Sequence, residues 1–377
     1  MKNIRVLSVF GTRPEAIKMA PVVLALRETA GIESIVCVTG QHREMLDQVL
    51  SLFDIHPDAD LDLMQPNQQL AHLTSEVLTN LDPLLVSYQP DWALVQGDTT
   101  TAMAASLAAF YRRIRVGHVE AGLRTYDKWQ PFPEEINRRM ISAAADLHFA
   151  PTELSRNNLL REGISESQIY VTGNTVVDAL QMIVNRPAPD EVITLVDKIG
   201  LNQNKRLVLV TAHRRENFGQ PLVHICQAIC GLAAHFGDSI QFVYPVHPNP
   251  NVHETVFDLL GDIPSVHLLN PLDYLPLVHL LKRASLVLTD SGGIQEEAVS
   301  LGVPTLVLRE KTERPEGLDS GILKLVGTDT EKIVTETSRL LDTPEGSNKA
   351  KFANPFGDGQ AARRIVECIL SQSEKTG

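Results

Sequence analysis

Short runs of apolar, mostly β-branched residues alternate along the chain with longer segments of helical periodicity. The short runs predict buried strands, and their alternation with helices is typical of a parallel sheet wrapped by helices. In the first half the predicted strands are "IRVLSVF", "SIVCVTG", "DWALVQG", "RVGHVE" and "DLHFAP". In the second half they are "RLVLVTA", "QFVYPV", "SVHLL", "SLVLTD" and "TLVLRE". The pattern therefore predicts an α/β protein.

A proline-rich stretch, "NRPAPDEV" at residues 185–192, separates the two sets of strands and predicts a domain boundary. The 377 residues suffice for two domains, which we place at residues 1–184 and 185–377. The ending "NPFGDGQAARRIVECIL" predicts a turn and an amphipathic helix, and packing of this helix on the N-terminal domain is one arrangement open to it. Two such domains would put their strand ends across a shared cleft.

The net charge of −12 argues against binding to nucleic acid or to an anionic membrane surface. The sequence shows neither a secretory signal nor an apolar run of spanning length. Its four cysteines lack CxxC spacing, which fits a reducing cytoplasm better than a disulfide framework or a metal site. We therefore expect a cytoplasmic protein that acts on a small molecule.

The first predicted strand ends in "FGTRPEAIKMAP", which places Arg13 and Lys18 beyond the turn at Gly11. Ligands of open α/β sheets bind at the carboxyl ends of strands, so these cations are candidate anion contacts. The dinucleotide fingerprint G-x-G-x-x-G is absent, which argues against a nicotinamide cofactor. A capped helix with solvated charges is the alternative.

Three carboxylates of the first half are further candidates: Asp98 and Glu120 at strand ends, and Glu134 at a probable helix start. Asp98 in "QGDTTTAMAAS" is either a helix N-cap or a catalytic group. Glu120 in "GHVEAGLRT" would be costly in an apolar strand unless it is paired or functional. Glu134 in "PFPEEINRR" either complements a helix dipole or takes part in chemistry.

The second half supplies cations at its strand ends. "VTAHRRENFG" brings His213, Arg214 and Arg215 together, which suits a diphosphate, although a surface basic cluster is the alternative. His247 in "PVHPNP" repeats the pattern more weakly, and Arg314 follows a later strand in "KTERPEG".

The segment "TDSGGIQEEA" predicts a helix whose N-terminus is formed by Ser291, Gly292 and Gly293. Such an N-terminus attracts phosphate, yet Glu296 and Glu297 follow within about two turns. A carboxylate that accepts hydrogen bonds from ribose hydroxyls would reconcile the two, so the segment suits a nucleoside diphosphate. A capped helix with exposed glutamates is the alternative.

Together these stretches resemble the non-hydrolysing UDP-N-acetylglucosamine 2-epimerases. The segments "QHREMLDQVL", "GDTTT", "TGNTVVDAL" and "TAHRREN" add to those above, in order over almost the whole chain. The resemblance implies a glycosyltransferase-B-like fold of two Rossmann-like domains around a central cleft. It also implies a homodimer that interconverts UDP-N-acetylglucosamine and UDP-N-acetylmannosamine without a cofactor or metal, for surface polysaccharide synthesis.

Roles are implied position by position. The matching catalytic residues are Asp98, Glu120, Glu134 and His213. The matching UDP contacts are Arg13, Lys18, His213, Ser291, Gly292, Gly293, Glu297 and Arg314, with uracil near the main chain of Leu272 and Leu277. In some lineages a second UDP-N-acetylglucosamine activates the enzyme through residues that match Gln41, Gln68, Glu134, Arg214 and His247.

Several positions depart from the family pattern. Gln96 stands where histidine is usual, and Tyr126 and Trp129 make the segment before Glu134 bulkier. Leu272 replaces a common polar residue, and Glu44 and Asn67 replace residues tied to the activator site. These departures bear on the exact amino sugar and on activation by substrate.

The resemblance implies that UDP leaves C1 as the C2 proton is lost, giving 2-acetamidoglucal, and then returns with C2 protonated from the opposite face. The alternatives are a hydrolysing relative, an epimerase of a related UDP-amino sugar, a glycosyltransferase, or a nucleotide-sugar sensor. The carboxylates at positions 98, 120 and 134 argue against the sensor, since a binding protein needs no such set at the sugar.

Overall fold

The computed structural model describes residues 3–40, 43–63, 68–203, 205–342 and 354–374. The chain divides into two compact units, one formed by Met1–Gln181 with Phe356–Gly377 and the other by Met182–Pro355. Each unit has its own parallel sheet and its own buried core. No helix within the described ranges is long and apolar enough to cross a membrane.

The first unit contains a parallel sheet that, over the described residues, has seven strands. They are β1 (Ile4–Phe10), β2 (Ile32–Val38), β3 (Ala59–Asp60), β4 (Trp92–Gln96), β5 (Arg115–Val119), β6 (Leu147–Ala150) and β7 (Ile169–Val171). Their order across the sheet is β3-β2-β1-β4-β5-β6-β7. This order is Rossmann-like, with its direction reversing between β1 and β4.

Helices cover both faces of that sheet. They are α1 (Arg13–Glu28), α2 (Arg43–Leu52), α3 (Leu70–Tyr88), α4 (Thr100–Tyr111), α5 (Glu134–Ala144), α6 (Glu153–Arg161) and α7 (Thr175–Val184), with a 3-10 turn at Glu166–Gln168. The last residues of α7 lie in the second unit.

The second unit has, over the part that is described, a six-stranded parallel sheet in the order β10-β9-β8-β11-β12-β13. Its strands are β8 (Arg206–Thr211), β9 (Ile240–Pro245), β10 (Val266–Leu269), β11 (Leu286–Thr289), β12 (Thr305–Val307) and β13 (Leu323–Leu325). Its helices are α8 (Asp190–Lys198), α9 (Gln220–Phe236), α10 (Pro250–Leu260), α11 (Tyr274–Arg283), α12 (Gly292–Leu301), α13 (Glu316–Asp319) and α14 (Thr330–Asp342). Short 3-10 turns lie at Leu201–Gln203, Arg215–Asn217 and Gly237–Ser239.

The ten predicted strands and the alternating α/β pattern are confirmed. Three strands of two or three residues, β3, β7 and β13, were not predicted, whereas the equally short β12 lies within the longer apolar run "TLVLRE" and was. The stretch at residues 185–192, predicted as a domain boundary, is partly helical, since Pro189 is the N-cap of α8 and Asp190–Val192 form its first turn. The helix uses only the carbonyl of Pro189, which accepts the N–H of Ile193 at 3.2 Å, so the N–H that proline lacks is not needed there.

The predicted C-terminal helix is α15 (Ala361–Glu374), and it belongs to the first unit. The backbone N–H of Ala362 donates to Asp178 at 2.9 Å, and the indole N–H of the buried Trp92 donates to Ser373 Oγ at 3.1 Å. Residues 185–377 were predicted as one domain, whereas the segment from Phe356 onward is part of the first unit.

Candidate functional site

In both units several candidate residues follow the two strands between which the strand order reverses. In the first unit β1 lies beside β4, and in the second unit β8 lies beside β11. Loops that leave neighbouring strands in opposite directions open a crevice there, which is where open α/β sheets bind ligands.

Glu120 follows β5 and has a left-handed backbone, with φ of +64°. Its Oε1 receives Lys18 Nζ at 2.5 Å and Asn174 Nδ2 at 3.1 Å, and its Oε2 receives the amide N–H of Gln96. All four side chains are buried. Positive φ in a non-glycine residue is uncommon and concentrates at functional sites. Glu120 is therefore paired, as the sequence analysis required of a buried glutamate, and its partners include one cation and two side-chain amides.

Asp98 follows β4 in the loop before α4. The N-cap of α4 is Thr99, whose side chain accepts the N–H of Ala102 at 3.0 Å, so Asp98 is not that cap. Its Oδ2 instead receives Arg138 Nε at 2.8 Å and Nη2 at 2.6 Å, and its carbonyl receives Asn137 Nδ2 at 2.9 Å. Two donors of one guanidinium hold this carboxylate in a fixed direction.

Glu15 joins the two loops at the reversal point of the first sheet. It accepts the backbone N–H of Gly11 at 3.1 Å and of Thr12 at 2.8 Å, and the hydroxyl of Thr99 at 2.6 Å. Burial raises the pKa of the Glu15 carboxyl, and these hydrogen bonds oppose that rise. The arrangement ties the start of α1, which carries Arg13, to the loop that carries Asp98.

The buried side chain of His118 holds the loop that follows β4. His118 in β5 donates Nε2–H to the carbonyl of Gly97 at 2.7 Å, next to Asp98 in the chain. Burial is the largest cause that lowers the pKa of His118, to about 4. A neutral ring with its proton on Nε2 is therefore the form that holds this turn.

Helix α5 begins at Glu134, one turn before Arg138. The neighbouring Glu135 is fully buried and accepts the N–H of Thr125 at 3.0 Å and of Tyr126 at 3.1 Å. Glu135 therefore fixes the preceding loop to the helix, whereas Glu134 is half-buried.

That preceding loop carries the bulky residues that depart from the family pattern. Tyr126 and Trp129 are 50% and 64% exposed, and the ring of Trp129 stacks on Phe132 with centroids 5.8 Å apart. The hydroxyl of Tyr126 donates to Asn158 at 2.9 Å. Gln96, which also departs from the family pattern, contacts Glu120 directly.

In the second unit His213 follows β8, and its ring stacks on His247 with centroids 5.5 Å apart and planes 9° apart. The backbone N–H groups of His213 and Arg214 both donate to Asp290 Oδ2 at 2.8 Å. Burial lowers the pKa of the His213 ring, Asp290 raises it and Arg214 lowers it further.

Helix α12 begins at Gly292 with Ser291 as its N-cap, as the sequence predicts. A Cβ at Gly292 would lie 2.5 Å from Nη1 of Arg314, so any larger residue would push that guanidinium away from the helix start. Arg314 Nε donates to Glu296 Oε1 at 2.5 Å, which offsets the negative charge of this glutamate. Glu297 is also buried, rather than exposed as the capped-helix alternative requires.

The remaining predicted residues lie at several places in the two units. Leu272 and Leu277 are half-buried beside the core of the second unit, around the start of α11. The amide of Gln68 donates to Leu63 O at 2.9 Å and to Glu76 at 2.6 Å, so its N–H groups are used within the chain. Gln41 and Asn67 lie outside the described residues.

Sequence reasoning missed four residues that hold the predicted ones: Glu15, Arg138, Asn174 and Asp290. Each of the four lies inside a motif quoted above. The residue that it contacts is distant in the chain, however, so no local motif indicates the contact. Across the described residues, no group of three or more histidine, cysteine, aspartate or glutamate side chains could hold a metal ion.

The chain is similar to known proteins over nearly its full length. Residues 24–370 match the family model described as UDP-N-acetylglucosamine 2-epimerase. A UDP-N-acetylglucosamine 2-epimerase of Salmonella typhimurium is 55% identical over 97% of this chain and 98% of its own. The crystal structure of a UDP-GlcNAc 2-epimerase from Neisseria meningitidis bound to UDP-GlcNAc is 49% identical, with a TM-score of 0.90 over 98% of this chain and 100% of that one. The S. aureus protein MnaA, solved with UDP, is 44% identical with a TM-score of 0.91 over 99% and 97% of the two chains.

Proposed function

Because the chain belongs to the UDP-N-acetylglucosamine 2-epimerase family, we propose that it interconverts UDP-N-acetylglucosamine and UDP-N-acetylmannosamine without releasing the free sugar. The similarity to these relatives does not distinguish hydrolysing from non-hydrolysing enzymes. That the reaction is non-hydrolysing is therefore an additional proposal. It rests on the chemistry that the described side chains can support.

The observation that carries the proposal is the pair of carboxylates at the ends of β4 and β5. Asp98 is held by Arg138, and Glu120 is held by Lys18 and two amides. A protein that only binds a nucleotide sugar has no use for carboxylates fixed in this way. Groups that move a proton at carbon need such positioning, and acid–base help of this kind adds about 10²- to 10⁴-fold in rate.

The proton at C2 of an N-acetylhexosamine has no adjacent carbonyl to stabilise a carbanion. We propose that the C1–O bond to UDP breaks with its electron pair going to the diphosphate, while a carboxylate takes the C2 proton. The C1–C2 double bond of 2-acetamidoglucal forms in this step. UDP then adds back to C1, and a carboxylic acid delivers a proton to the opposite face of C2. Because the net change involves no oxidation, the scheme requires no redox cofactor.

We assign the proton transfers to Asp98, Glu120 and Glu134. The ion pair with Glu120 supports a second role for Lys18, as a cation that orients Glu120, in addition to the UDP contact that the resemblance implies for it. The assignment leaves open which carboxylate removes the C2 proton and which returns it.

We assign the diphosphate to Arg13, His213 and Arg314 with the N–H groups at the start of α12. Well-placed donors on developing negative charge are commonly worth about 3–4 kcal/mol each. Glu297 is assigned to the ribose hydroxyls, as the resemblance implies, and Glu296 pairs with Arg314. Uracil is assigned to the main chain near Leu272 and Leu277.

The homodimer and the activating second UDP-N-acetylglucosamine stay predictions. For the activator, Gln68 would first have to release its hydrogen bonds to Leu63 O and Glu76. Initial rates measured against substrate concentration test this prediction, because activation by substrate gives a sigmoidal curve and a single site gives a hyperbola.

Proton NMR of UDP-N-acetylglucosamine incubated with the protein in D₂O tests the proposed function. We expect a second nucleotide-sugar anomeric signal and deuterium at C2 of both sugars after equilibration. Free sugar with UDP would identify a hydrolysing enzyme. Complete equilibration with C2 still protiated would exclude the elimination scheme, and no change in the spectrum would contradict epimerisation of this substrate.

A further inference from the structure

Asp290 is a fully buried carboxylate directly after β11, at the reversal point of the second sheet. Its Oδ2 accepts three N–H donors, from the backbone of His213 and of Arg214 at 2.8 Å each and from Asn217 Nδ2 at 2.9 Å. All three donors belong to the segment between α9 and β8, the neighbouring strand. Asp290 therefore fixes the backbone from which the His213 side chain projects.

The other oxygen of Asp290 faces the His213 ring. Oδ1 is buried and has no hydrogen-bond partner among the described residues, and the ring Nδ1 lies 3.7 Å away. A buried acceptor without a donor costs about 1–3 kcal/mol, so a donor within one small ring rotation is a favourable partner. The His213 side chain is 39% exposed, which leaves its other nitrogen accessible to a ligand.

His247 limits how the His213 ring can move. The two rings stack with planes 9° apart, and the Nδ1 of His247 accepts the backbone N–H of Asn249 at 3.1 Å. His247 is therefore anchored by its own Nδ1, and its ring covers one face of His213. This contact favours ring orientations in which Nδ1 of His213 stays directed at Asp290.

Three charged or titratable groups act on His213: Asp290, Arg214 and His247. Burial lowers the pKa of the ring most strongly, Asp290 raises it and Arg214 lowers it further, so that the pKa lies below its ordinary value. His213 in turn lowers the pKa of His247, so the two rings disfavour being charged together. Asp290 is thus the carboxylate that favours the imidazolium form of His213.

We propose that Asp290 is a positioning residue that acts through His213. It accepts Nδ1–H, so that Nε2–H is the donor presented to the ligand, and its charge supports the imidazolium as negative charge develops on the leaving diphosphate. No covalent bond to His213 forms, and the ring acquires its proton from solvent before the C1–O bond breaks. The inference rests on the proposed function, because that function supplies the diphosphate.

The test substitutes Asp290→Asn, which keeps one oxygen to accept the two backbone N–H groups and removes the charge. We expect turnover to fall at least about tenfold, as for other carboxylates that orient a catalytic histidine. We also expect NMR titration of ¹⁵N-histidine-labelled protein, without ligand and with UDP, to give a lower pKa for His213 than in the parent. Circular dichroism and thermal unfolding check that the fold is kept.

Asn217→Ala is the matched comparison, because it removes the third donor to Asp290 and leaves the carboxylate charge. If Asp290 only shapes the loop, the two variants will lose turnover to a similar extent and the His213 titration will not move. That result overturns the proposal, as does an equal further loss when Asp290→Asn is added to His213→Gln, since residues that act through one another are not additive. A parent that does not epimerise would defeat the proposed function, while the ligand-free titration would still decide whether Asp290 governs His213.

Discussion

The Nζ of Lys18 lies 2.5 Å from Oε1 of Glu120, 102 residues away in the chain, and both side chains are more than nine-tenths buried. Lys18 lies on α1 and Glu120 follows β5. A lone buried charge would be costly, so each residue makes the burial of the other tolerable. The pair also fixes the carboxylate at the strand end where proton transfer is proposed.

Lys18→Met is expected to destabilise the first unit by about 3–5 kcal/mol, because it leaves the Glu120 charge buried without its cation. Adding Glu120→Gln should restore much of that loss, since the buried charge is then gone, but should not restore turnover. Urea unfolding followed by tryptophan fluorescence measures the effect, because both tryptophans of the chain lie in the first unit.

The control for this cycle is Arg363→Met, which breaks an exposed pair between Arg363 and Glu367 in the same unit. Exposed pairs of this spacing contribute about 0.3–0.5 kcal/mol. Equal destabilisation by Arg363→Met and Lys18→Met would show that the buried pair has no special importance.

Gln96→Leu is expected to lower turnover at least about tenfold with a smaller change in KM, because Glu120 loses the donor that fixes its Oε2. Gln96→His keeps a ring N–H and should retain more turnover than the leucine variant. Steady-state kinetics on the parent and the two variants measure whether the hydrogen bond from residue 96 to Glu120 is needed for turnover. Parental turnover in Gln96→Leu would mean that Lys18 and Asn174 suffice to orient Glu120.

Gly292→Ala is expected to weaken UDP binding at least about tenfold, or 1.4 kcal/mol. The new Cβ would lie 2.5 Å from Nη1 of Arg314 and would push the guanidinium away from the helix start. Gly293→Ala is the matched variant, since a Cβ at Gly293 meets no atom within 4 Å. Isothermal calorimetry with UDP should show a clearly larger loss for Gly292→Ala, and equal losses would argue against the Arg314 assignment.

Acid is expected to destabilise the first unit through His118 and His148, register partners on β5 and β6. Burial is the main cause that lowers their pKa values, to about 4 and about 3, from the ordinary 6.5. Below pH 6.5 the unfolded chain therefore binds protons that the folded chain excludes. The free energy of unfolding should fall by up to about 1.4 kcal/mol per pH unit for each histidine, from about pH 6.5 towards pH 4.

His148→Leu should remove its share of that dependence, so the slope of unfolding free energy against pH becomes shallower. Urea unfolding at several pH values between 7 and 4 measures the slope. Parallel curves for the variant and the parent would show that His148 does not cause the acid sensitivity.

Much of the fold was determined by the sequence alone. Ten strands and the final helix were predictable because an apolar run or a repeating apolar face has few ways to become buried. The helix start at Ser291 was predictable too, since it depends on neighbouring residues only. The motifs also indicated which strand ends carry charged side chains.

The tertiary structure decided what each charged side chain contacts. Asp98 and Thr99 are both plausible N-caps in sequence, and only the backbone path gives the cap to Thr99 and leaves Asp98 to Arg138. Glu296 and Glu297 are adjacent and identical in type, yet Arg314 pairs with Glu296. Asp290 could not be linked to His213 before β8 and β11 were known to be neighbours. Such contacts join residues that are far apart in the chain, so local patterns do not encode them, whereas strands and helix starts are set by interactions between residues close in sequence.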